Sequence, residues 1–98
     1  DWSTAPGTSQ AETQRITGTG ISGTVITAAT VATITLEPGT WSGGPHTFTR
    51  AFRNNGATMG GAFALGWTYN AAGLLSAGTW EADVVCDGVL RTISGTVV

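Results

Sequence analysis

The chain has no lysine, and only ten of its 98 residues are charged: four arginines and six carboxylates, for a net charge of −2. Ordinary domains carry about a quarter charged residues. Without clustered cations to neutralise phosphates, nucleic-acid binding is not expected. There is one cysteine, Cys86, which excludes an internal disulfide framework and a zinc site built from cysteines. No run approaches the roughly 20 apolar residues of a membrane-spanning helix, so no membrane insertion is expected. The opening "DWSTAPGTSQAETQR" has no apolar signal-peptide core. It starts without Met, as expected of a processed chain or a piece of a longer one. Helix signals are scarce as well. The one helical window, Gln10 to Arg15, is short and runs straight into β-branched residues.

What is present is 41% hydrophobic residues, fifteen glycines and many threonines. The length suits one domain with a real core. The surface must be built from Thr, Ser, Gly, Asn and Gln, a composition that fits a virion or extracellular surface better than the cytosol.

Period-two alternation marks half-buried strands. Ala32, Ile34 and Leu36 share one face, with threonines opposite. Phe48, Arg50 and Phe52 share another, then Phe63, Leu65, Trp67 and Tyr69. Trp80, Ala82, Val84 and Cys86 point inward while Glu81 and Asp83 face water, and Ile93 and Val97 share a face. Between these runs fall "EPGT", "SGGP", "RNNG", "NAAG" and "CDG", where Gly and Asn tolerate positive φ. "CDGV" reads as a tight hairpin joining the last two strands. The pattern predicts an all-β fold, an antiparallel sandwich of about seven short strands. It would occupy residues 16–98, preceded by a flexible N-terminal arm or linker, residues 1–15, anchored at Trp2.

Several blocks resemble a known repeat. Ile21-Ser22-Gly23 is followed by Pro38-Gly39-Thr40-Trp41-Ser42-Gly43 and Pro45, then by Phe52 where a strand tryptophan is expected. Asn55-Gly56 supplies a turn before Met59-Gly60-Gly61-Ala62. From residue 21 to residue 97 the chain resembles the immunoglobulin-like repeat of bacterial surface proteins and of bacteriophage tail and structural proteins. The resemblance implies an immunoglobulin-like sandwich in a display or adhesion setting, with no catalytic residues to carry over.

Candidate chemistry is thin. "GTGISG", Gly18 to Gly23, matches G-x-G-x-x-G, but β-branched residues follow it where a nucleotide site needs a helix. His46, the lone histidine, reads as an exposed polar residue at a strand start, not as half of a catalytic pair. Glu81, Asp83 and Asp87 could in principle hold a surface Ca²⁺, but read more simply as a solvated face. Cys86 reads as a small core hydrophobe. No enzyme activity, metal or cofactor is expected.

Arg50 is the anomaly, because alternation places its charge inward. It must lie at the sheet's end and snorkel, be re-aimed by a bulge, or be covered by another chain. Trp41, Phe52, Trp67, Trp80 and Cys86 are the expected core, leaving Trp2 and Arg50 as candidate binding residues. The expected role is a non-enzymatic structural module of a phage particle (capsid decoration, tail or fibre), in contact with other virion or surface-assembly proteins. A bacterial adhesin module, or a carbohydrate-binding appendage of a secreted enzyme touching host-surface glycans, are the alternatives.

Overall fold

The computed structural model describes residues 14–41 and 46–98, and these residues form nine strands and no helix. The expected arm and Trp2 lie outside the described residues, apart from Gln14 and Arg15. The strands are β1 (Arg15–Thr17), β2 (Ile21–Ser22), β3 (Val25–Ile26), β4 (Thr33–Glu37), β5 (Phe48–Asn54), β6 (Ala57–Thr58), β7 (Thr68–Asn70), β8 (Gly78–Cys86) and β9 (Val89–Val97).

They make two sheets. One has the order β1-β4-β7, with both pairings antiparallel. The other has the order β2-β3-β9-β8-β5-β6 and is antiparallel except for β3, which runs parallel to the last strand. The first segment therefore changes sheets. A tight turn after β1 sends the chain across, and its glycines are required there. Gly20 has φ +81°, and a Cβ on Gly18 or Gly20 would overlap the backbone at Thr30 to Thr33. The G-x-G-x-x-G match is thus a strand-to-strand turn.

The sheets share one core. Ile16, Ile34, Leu36 and Tyr69 come from the smaller sheet, and Ile26, Phe52, Trp80, Ala82, Val84 and Val97 from the larger. On the larger sheet, bulk alternates between neighbouring strands. Trp80 lies between Asn54 and Gly95, and Ala82 between Phe52 and Ile93. The Phe52 ring stacks on Trp80 at 5.9 Å, their planes 9° apart. Gly95 is small out of necessity, since a Cβ there would overlap the Thr24 carbonyl and the Trp80 indole. That indole donates to Thr24 O at 2.9 Å and ties β8 to the β2–β3 turn.

Two turns follow directly from local chemistry. Asn55-Gly56 and Asp87-Gly88 have positive φ at both positions (52° and 81°, 50° and 83°), as a two-residue hairpin needs to match strand twist. They join β5 to β6 and β8 to β9. One strand expectation is corrected. Leu65 does not point inward but is fully exposed. Residues 59–66 run as successive turns, closed by Ala62 N to Met59 O, Ala64 N to Gly61 O and Gly66 N to Phe63 O, with φ +57° at Phe63. Consecutive turns erase period two, so β7 begins only at Thr68.

Candidate functional site

Phe48 pairs with Cys86, and Cys86 with Val89, at one end of the larger sheet. This register brings His46 and Thr47 alongside the β8–β9 turn. His46 Nδ1 lies 2.7 Å from Asp87 Oδ2, and Thr47 N donates to Asp87 Oδ1 at 3.1 Å. Those two hydrogen bonds, His46 first, hold the Asp87 carboxyl below its usual range. His46 is not the exposed residue expected. Its side chain is only 12% exposed, with the ring edge-on to Phe48 at 6.0 Å.

Cys86 is fully buried, and its Sγ lies 3.9 Å from Asp87 Oδ2. Burial pushes the thiol up, and the charge and hydrogen bond of Asp87 add to it. A cysteine nucleophile has to be reachable and held as thiolate by an adjacent base, whereas Cys86 is fully buried and turns its thiol to the Asp87 carboxylate. The cluster is nonetheless a convergence of donors. One atom each from His46, Cys86 and Asp87 lies within 4.8 Å of the others.

Beside it stands an aromatic group with Arg50 on it. Trp67 O accepts from Leu36 N at 2.8 Å, which fixes Trp67 to the smaller sheet. Its ring meets Phe48 edge-on at 5.0 Å, and Trp41 meets Phe48 from another side at 6.0 Å. Trp41 Nε1 donates to Pro38 O at 2.7 Å. The Arg50 guanidinium lies over Trp67. The β5–β8 register is unbroken from Phe48 to Asn54, so no bulge re-aims Arg50. It stays inward, half-buried, with a buried Nε that has no hydrogen-bond partner. Arg50 and Arg91 flank Val84 on neighbouring strands, which is where the apolar core gives way to charge.

Of the expected core residues, Phe52, Trp80 and Cys86 are buried, while Trp41 and Trp67 are half-buried and pack against the core. The three acids are not one cluster. Arg53 bonds Glu81 at 3.1 Å and grips Asp83 with both terminal nitrogens, and Thr92 donates to Asp83 Oδ1 at 2.7 Å. Asp87 instead serves His46. Sequence reasoning missed Asn54, which reads as a turn residue but is buried. Its amide donates to Ser76 O and Thr79 O, both at 3.0 Å, and its oxygen accepts from Ser76 N at 2.8 Å. A second feature without a sequence signal is a cleft of about 430 Å³ between the sheets, walled by Ile16, Ile21, Trp80 and Ile93.

Comparison of the chain with protein families, with curated proteins and with solved structures found no match.

Proposed function

We propose that the chain is an immunoglobulin-like module of a larger surface assembly, specifically a bacteriophage virion, and that it works by protein–protein contact rather than catalysis. The observation that supports this best is the strand order. The first segment is divided between sheets, with β1 on β4 and β3 parallel to β9. On this reading β1, β4 and β7 would be strands A, B and E of such a domain and β3, β9, β8, β5 and β6 strands A′, G, F, C and C′, with β2 an added edge strand beside β3. The resemblance around Pro38 to Gly43 and the lysine-free surface point to phage and bacterial-surface examples of that fold. The rigid sandwich would hold its end loops, including the His46–Asp87 end, for contact.

A sugar-binding platform is less well supported. It needs an open aromatic face, and among the described residues Trp80 is buried and Trp67 is covered by Arg50 and Phe48. Mass spectrometry of purified particles from the producing culture tests the proposal. The chain is expected in the particle fraction at a fixed ratio to capsid or tail subunits. Its recovery only as free secreted protein, or only with cell envelopes, would overturn the virion reading.

A further inference from the structure

The chain contains one histidine and one cysteine, and folding brings both to the same carboxylate across 40 residues of sequence. We propose that His46, Cys86 and Asp87 form a three-donor site for a zinc-type divalent ion, clamping the entry of β5 to the β8–β9 hairpin.

The donor set is thiolate sulfur, imidazole nitrogen and carboxylate oxygen. That mixture suits Zn²⁺ and is unsuited to Ca²⁺ or Mg²⁺, which take oxygen ligands. Thiolate and carboxylate together carry two negative charges, matching a divalent ion beside a neutral imidazole. Around a tetrahedral ion with bonds of about 2.0–2.3 Å, donor atoms stand about 3.3–3.7 Å apart. The separations here bracket that range: 2.7 Å from Nδ1 to Oδ2, 3.9 Å from Sγ to Oδ2, and all three within 4.8 Å. Accepting an ion requires adjustments of up to about 1.5 Å, within the reach of side-chain rotation.

The surroundings favour the same use. Thr47 N occupies Asp87 Oδ1 and orients the carboxylate, leaving Oδ2 toward the other donors. His46 Nδ1 is the ring nitrogen that faces the Asp87 carboxylate and so the one placed to ligate. Cys86 is sealed and His46 nearly so, while the Asp87 side chain is 43% exposed. An ion therefore enters past Asp87, where a water completes its shell. Binding displaces the thiol proton to solvent and moves the imidazole proton to Nε2.

The test is titration of the reduced protein with Co²⁺ and Zn²⁺. Co²⁺ is expected to give a thiolate-to-cobalt charge-transfer band with tetrahedral ligand-field bands, both displaced by Zn²⁺. Zn²⁺ at about 100 times its dissociation constant is expected to raise the melting temperature by roughly 10 °C, with no response to Ca²⁺. Cys86→Ser should remove the band. His46→Ala and Asp87→Asn should each weaken binding at least about tenfold. Asparagine keeps the positive φ of the turn, and circular dichroism confirms that each variant is folded. Absence of a band and of a melting shift in the folded wild-type protein would overturn the site. So would a Co²⁺ affinity that neither His46→Ala nor Asp87→Asn lowers, which would mean a thiol binding metal alone.

Discussion

The guanidinium carbon of Arg50 sits 4.6 Å from the centre of the Trp67 ring, a link between the two sheets made by a charge on the inward face. The flat cation covers the ring and gains from its quadrupole, which offsets the cost of an inward arginine with an unpartnered Nε. Arg50→Ala is expected to destabilise by about 1–2 kcal/mol in urea unfolding. A double-mutant cycle with Trp67→Leu should show coupling of about 0.5–1.5 kcal/mol. Coupling near zero would mean that the two merely lie side by side.

Trp80 and Gly95 are a matched pair. Trp80→Ala removes a fully buried indole and should cost about 3–5 kcal/mol. Gly95→Ala adds one methyl where the Thr24 carbonyl and the indole leave no room, and should cost about 2–3 kcal/mol. Gly56→Ala is strained by its positive φ but meets nothing within 4 Å, so it should cost about 1 kcal/mol. Denaturation midpoints that fail to follow this order would show that the indole does not pack as described.

Asn54 holds a loop from beneath. Its amide bonds both backbone groups of Ser76, which lies outside the strands, and shares the Thr79 carbonyl with Asn55 N. Asn54→Ala should cost about 2–3 kcal/mol, because the partners lose their bonds while staying partly buried. Hydrogen exchange at the Ser76 amide should accelerate more than exchange in the centre of β8. Unchanged exchange there would contradict the anchoring role.

The Arg53–Asp83–Thr92 group makes stability depend on acid. Desolvation pushes Asp83 up, but the hydrogen bonds from Arg53 and Thr92 and the charge of Arg53 outweigh it, leaving the carboxyl below its usual value of 3.8. Hydrogen bonds to Asp83 first, and then to Glu81, hold the Arg53 pKa above its usual range. A carboxylate depressed in the folded state contributes stability above its unfolded pKa and loses it as pH falls through the folded value. Below about pH 5, stability should therefore decline less steeply in Asp83→Asn than in the wild type, with the variant about 1 kcal/mol weaker at pH 7. Parallel pH profiles would exclude the contribution.

What could be read from the sequence divides by range. The inward parity of Trp80, Ala82, Val84 and Cys86, and the Asp87-Gly88 and Asn55-Gly56 turns, follow from neighbours two or three positions apart, so they were legible. The stretch from Met59 to Gly66 was not, because glycine and alanine accept strand or turn equally well and Leu65 happens to fall on the right parity. Nothing local marks β3 as the partner of β9, 71 positions later in Val25 and Thr96. The same holds for the His46–Asp87 contact, which exists only through the β5–β8 register. The burial of Arg50 was legible as a problem. Its solution, Trp67, comes from the opposite sheet and carries no sequence signature.

The functional reading depends most on the division of the first segment between sheets, which nuclear Overhauser contacts in the isolated, isotope-labelled domain measure directly. The expected result is a parallel pairing of Val25 with Thr96 and Ile26 with Val97, together with an antiparallel pairing of Ile16 with Leu36. Contacts placing Ile16 beside β9, or Ile26 antiparallel to Val97, would contradict the proposed immunoglobulin-like arrangement and the proposed assembly role argued from it.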